Sequence, residues 1–145
     1  MNGIRHDEEK FMRYLLSNLH MEQELWQRQV KLNNEGPRIC KYFNSTPTKR
    51  MLSRYLVEAR VDVKALYTIA SFAKVMGVSR QAINSIIDET IAEGWTEDFY
   101  KNKTRYFRAT IYHFEIHKQY LNTLTEMRIK YVTDYCASLK MMGNV

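Results

Sequence analysis

From Glu8 to about Asn33 the apolar residues Phe11, Leu15, Leu19, Trp26 and Val30 return at steps of four and seven, the repeat of one face of a long amphipathic helix. The run Asn33-Asn34-Glu35-Gly36-Pro37 ends it. A second helix opens at Ser45-Thr46-Pro47, a hydroxyl cap followed by proline in the first turn, and continues through Met51, Leu52, Tyr55 and Leu56. Asp62 is expected to cap a third helix from Val63 to Met76, Gly77 to end it, and Ser79 to cap a fourth directly afterwards. Beyond Gly94 the period changes. Aromatic and threonine residues on both sides of Lys101-Asn102-Lys103 predict a β-hairpin over 95–110. From about Tyr112 a last long helix carries Ile116, Tyr120, Leu124, Met127, Tyr131, Tyr135 and Leu139 on one stripe.

Two helices that cross steeply at a tight turn need a small residue where they touch, a glycine at the turn and apolar residues on either side. The segment from Ala70 to Ile87 supplies all three: Ala73 four residues before Gly77, with Phe72, Met76, Val78, Ile83 and Ile86 around them. The pattern is that of a helix-turn-helix over 68–95 with the hairpin over 96–110 as a wing. The fold class expected is mainly α with a small β-hairpin, a winged helix-turn-helix between long N- and C-terminal helices. The 145 residues are read as a single domain: 8–44 the N-terminal helix and a connection, 45–110 the winged helix-turn-helix, 111–145 the C-terminal helix.

With Ser79 as cap, the solvent face of the fourth helix presents Arg80, Gln81, Asn84, Ser85 and Asp88. Glutamine and asparagine make paired hydrogen bonds to adenine, arginine grips guanine or phosphate, and a helix N-terminus favours anions. The wing holds Lys101, Lys103, Arg105 and Arg108, and no acid between them. Cations there suit the phosphate backbone or the minor groove, although a charged hairpin also serves as a protected sheet edge. A formal net charge of +6 agrees with a polyanionic partner. Asp88, Glu89 and Glu93 weigh against it unless they face inward or away.

These residues resemble the multiple-antibiotic-resistance regulator (MarR) family of bacterial transcription factors. The resemblance rests on Gly77-Val78-Ser79-Arg80, the Glu93-Gly94-Trp95 exit from the recognition helix, the basic hairpin closing at Thr110 and the long terminal helices. It implies a homodimer with interlocked terminal helices, a recognition helix in the major groove of each half of a near-palindromic double-stranded DNA site, and a small-molecule effector. The expected function is therefore sequence-specific transcriptional regulation. Members usually carry an aspartate two residues before the arginine of the wing tip. Here lysines occupy that place, so the arginine-orienting aspartate is expected to be missing. The alternatives are a winged-helix protein-interaction or assembly module that does not read a groove, and a phage or replication DNA-binding protein.

No enzyme is expected, since neither a phosphate-binding glycine loop nor a nucleophile triad has its local context. Cys40 and Cys136 are read as free thiols, with a redox pair as the sharper reading. His113 and His117, four apart on the last helix, offer two metal ligands that His6 or His20 would have to complete; no cofactor is assigned on that basis. The N-terminus has neither the basic nor the apolar stretch of a secretory signal, and no run is apolar enough for a membrane helix. Cytoplasmic residence is expected.

Overall fold

A computed structural model describes residues 2–143, so the outermost ends of the expected 1–145 domain lie outside the described residues. The order is α1 (Asn2–Glu35), α2 (Arg38–Phe43), α3 (Pro47–Val61), α4 (Ile69–Met76), α5 (Arg80–Ala92), β1 (Thr96–Lys101), β2 (Thr104–Ala109) and α6 (Ile111–Gly143). They form two compact units. One comprises the chain up to Lys31 and from Tyr120 onward, the other Leu32–Gln119.

The second unit is a winged helix-turn-helix, and each helix in it starts where local chemistry provides a cap. Thr46 accepts the Lys49 N–H at 3.1 Å ahead of Pro47. The third predicted helix begins later than expected, at Ile69 rather than Val63. Thr68 and Ser71 form a reciprocal capping box, each side chain accepting the other's backbone N–H at 3.1 and 2.7 Å. Asp62 instead ends α3 and accepts the Lys64 N–H at 2.9 Å in a local turn. The freed segment has its own use: the Tyr67 carbonyl accepts the Phe107 N–H at 3.1 Å, fastening the loop to β2.

Gly77 leaves α4 with φ 67°, a conformation that burdens any residue with a Cβ, and the Val78 N–H returns to the Ala73 carbonyl at 3.1 Å. Ser79 then caps α5 by accepting the Ala82 N–H at 3.1 Å. The core beneath is Ile39, Phe43, Leu52, Leu56, Phe72, Ala73, Ile83, Ile87, Trp95 and Phe107, all buried. Each large apolar side chain so placed contributes about 1.5–3 kcal/mol. The six-residue α2, within a stretch read from sequence as connection, supplies Ile39 and Phe43 to this core.

His113 of α6 is buried in the same unit and its environment fixes its tautomer. Nδ1 lies 3.1 Å from the Trp95 carbonyl, so it carries the proton, and Nε2 accepts the Ser53 hydroxyl at 2.8 Å. The ring stacks on Phe43 at 4.6 Å. The Nε2 lone pair that a metal ion would need is thus already taken by the Ser53 hydroxyl.

In the first unit, α1 and α6 meet through Ser17 Oγ donating to the Tyr131 carbonyl at 3.2 Å and through edge-on Tyr14 and Tyr135 rings 5.6 Å apart. Met127 is buried. The apolar α1 stripe of Phe11, Leu15, Leu19, Trp26 and Val30 is exposed, and the face turned inward contains Ser17, Met21, Glu24 and Leu25.

Burial lowers the His113 pKa to about 4, with neighbouring His117 adding to the shift and the Trp95 carbonyl opposing it. An unfolded histidine titrates near 6.5. Its stabilising contribution is thus complete above pH 6.5 and is lost as pH falls toward 4, a span worth roughly 3 kcal/mol. His117, also lowered by burial and then by Arg54, adds in the same direction. Urea unfolding at pH 7 and pH 5 should show that loss in the unaltered protein and a shallower one in His113→Phe. Equal pH slopes in the two proteins would remove the assignment.

Candidate nucleic-acid interface

At 100° per residue, the buried Ile83, Ile86, Ile87 and Thr90 occupy one side of α5, and the opposite side is a stripe of Gln81, Ser85, Asp88 and Ala92. All four of these are exposed, as are Arg80 and Asn84 on one flank of the stripe and Ala82 and Glu89 on the other. The predicted residues Ser79, Arg80, Gln81, Asn84 and Ser85 are therefore brought together around the open side and N-terminus of one helix. Ser79 differs in kind from the rest, because its oxygen already serves the cap. What it presents outward is the positive end of the helix.

Asp88 was seen in sequence but not singled out as a site residue. It lies at the edge of the open stripe nearest Asn84, whose Nδ2 is 3.5 Å away. A carboxylate here accepts from the exocyclic amine of cytosine and repels a phosphate, so it favours base edges over backbone.

The other two acids of this region are directed to α2. The Tyr42 hydroxyl donates to Glu89 Oε2, and Arg38 pairs with Glu93. Sequence reasoning could not place them, because α2 itself went unrecognised.

The wing is a two-stranded antiparallel hairpin in which Tyr100 faces Arg105 and Asp98 faces Phe107. The aspartate expected to be missing is supplied from β1: Arg105 Nε donates to Asp98 Oδ2 at 2.8 Å, diagonally across the pleat, while its guanidinium lies over the Phe107 ring at 4.8 Å. Orientation comes from the facing strand rather than from two positions along the same one. Arg108 Nε donates to Glu97 Oε1 at 2.9 Å, and Arg60 shares that carboxylate. The four wing cations thus differ. Arg105 and Arg108 are held by carboxylates, whereas Lys101 and Lys103 are exposed and form no ion pair among the described residues.

Asn102 and Lys103 make the turn with φ 52° and 68°. Asparagine tolerates that region; lysine at the second position stands where glycine is the usual choice. The strain keeps a cation at the free end of the hairpin.

Cys40 is buried, and burial pushes its thiol pKa up, which disfavours the reactive thiolate. Cys136 is exposed, and both are free thiols. Among the described residues, no helix is long and apolar enough to cross a membrane.

Neither a protein-family model nor a curated protein matches the chain. Solved structures do. The oxidized form of MarR from E. coli is similar at 17% identity, with 86% of this chain and 90% of that one covered and a TM-score of 0.45. The reduced form gives 17% identity, 86% and 92% coverage and 0.45. The adhesin competence repressor AdcR from Streptococcus pyogenes gives 15% identity, 87% and 92% coverage and 0.39.

Lys103→Gly should relieve the left-handed turn and raise stability by up to about 1 kcal/mol, read as an increase in thermal midpoint. A lower midpoint would show that the lysine makes a compensating contact in the folded hairpin.

Proposed function

We propose that the chain is a sequence-specific double-stranded DNA-binding transcriptional regulator that acts as a homodimer in the cytoplasm. In this reading α5 enters the major groove with Gln81, Asn84, Ser85 and Arg80 toward base edges and neighbouring phosphates. Lys101 and Lys103 at the wing tip contact the backbone or the minor groove. Arg105 and Arg108, each already paired with a carboxylate, shape the wing and add charge at lower weight.

The observation that carries the reading is the division of charge on α5. Its open side is short, polar and amide-bearing with Asp88 as its carboxylate, while Glu89 and Glu93 are engaged by α2. That division favours groove binding over the protein-interaction module, for which free acids along the helix would be unobjectionable.

Support for the homodimer comes from the first unit. A 34-residue helix with Phe11, Leu15, Leu19 and Trp26 exposed along one stripe is adhesive in water. A second copy offers the same stripe, and two-fold pairing is the commonest way to cover it.

Selecting bound duplexes from a random pool tests the proposal. Two inverted half-sites about one helical turn, or ~34–36 Å, apart are expected. On the selected duplex, Gln81→Ala should cost about 1–3 kcal/mol and relax preference at one position per half-site. Lys101→Ala or Lys103→Ala should weaken selected and random duplexes alike and lower the salt slope by about one counterion per lost contact. A pool that yields no enriched sequence and no salt-dependent retention would refute DNA binding. An enriched sequence without inverted symmetry would instead point to a phage or replication type of DNA-binding protein.

A further inference from the structure

Glu89 borders the open side of α5, one residue after Asp88 and one turn after Ser85. An unrestrained carboxylate at that position samples orientations that approach a phosphate of bound DNA, and at a few ångströms like charges repel strongly. The structure gives this side chain a fixed alternative. The Tyr42 hydroxyl donates to Glu89 Oε2, and one turn farther along α5, Arg38 holds Glu93.

Tyr42 is itself immobilised. Its ring packs against Phe43 at 5.2 Å and Trp95 at 5.4 Å, and the Lys49 ammonium lies over its face at 4.2 Å. Arg38 is placed over the Trp95 ring at 5.8 Å. Both donors therefore start from the same buried indole that ends the recognition helix, and a clasp anchored there moves with α5.

We propose that Tyr42 and Arg38 are positioning residues for DNA binding, which hold the Glu89 and Glu93 carboxylates toward α2 and so turn their charge away from the DNA-facing side of the recognition helix. The inference rests on the DNA-binding reading and deepens it. Neither donor needs to touch DNA. Tyr42 is the stronger of the two because its ring is part of the packed interior, whereas the Arg38–Glu93 pair is exposed and correspondingly weak.

The test is a comparison on one selected duplex, by fluorescence anisotropy at low and high salt, with thermal midpoints recorded for every protein. Tyr42→Phe retains the ring packing and loses the donor, so it should weaken binding roughly three- to ten-fold at low salt and less at high salt. Glu89→Asp keeps the charge but shortens its reach to Tyr42, and should weaken binding in the same way from an exposed position that folding tolerates. Glu89→Gln should bind at least as well as the unaltered protein. The decisive arm is the double variant Tyr42→Phe/Glu89→Gln, in which the cost of losing the hydroxyl should vanish.

A Tyr42→Phe loss that persists unchanged beside Glu89→Gln would assign the hydroxyl a merely structural role and overturn the proposal. So would Tyr42→Phe and Glu89→Asp proteins that bind as tightly as the unaltered one. Failure of the unaltered protein to bind any duplex is a different result, which removes the DNA reading and the positioning role with it.

Discussion

The winged unit depends on the burial of one indole and the use made of its backbone. Gly94 leaves α5 at φ 79° and turns Trp95 into the core, where its N–H closes the helix end on the Thr90 carbonyl at 2.9 Å. The Trp95 carbonyl then receives the Thr110 N–H at 3.1 Å and His113 Nδ1 at 3.1 Å. The end of α5, both ends of the hairpin and the first turn of α6 are thereby tied to one residue. The Nδ1–H of that tie is carried by the neutral and the protonated imidazole alike, so the cost of protonation lies on the other side of the ring and in its burial. A protonated ring would lose the Ser53 hydrogen bond as an acceptor and place a charge in an apolar interior.

Because the core is fixed in this way, electrostatics at the surface is sorted rather than merely basic. Apart from Asp88, carboxylates beside α5 and on the wing are matched with particular donors: Glu89 with Tyr42, Glu93 with Arg38, Glu97 with Arg60 and Arg108, and Asp98 with Arg105. What these pairings leave without a partner ion is Lys101 and Lys103 on the wing. Exposed pairs add little to stability, about 0–1 kcal/mol each. Their consequence is directional, since they decide which charges face outward.

Much of this architecture was legible in the sequence because the signals are local. Ala73, Gly77 and Ser79 specify the helix-turn-helix through size, backbone freedom and capping, and Asn102 marks the hairpin turn. The start of α4 was misjudged because Asp62 and Thr68 are both competent caps, and only Thr68 has a reciprocal partner three residues on. α2 was invisible for a different reason: six residues are too few to show a period, and their helix is held by Ile39 and Phe43 packing rather than by propensity. The Asp98–Arg105 pair was missed because it is a cross-strand contact, and register follows from the turn geometry rather than from spacing along one strand. The α1 stripe was legible as apolar from its spacing alone, and its residues are exposed.

The account stands or falls on whether the open side of α5 meets duplex bases. Backbone amide resonances followed during titration with a selected duplex test this most directly. The account predicts that perturbations concentrate at 79–88 and at 101–105, while Tyr42 and the buried residues of α3 remain nearly unchanged. Perturbations centred on α2 and α3, with 79–88 silent, would contradict it.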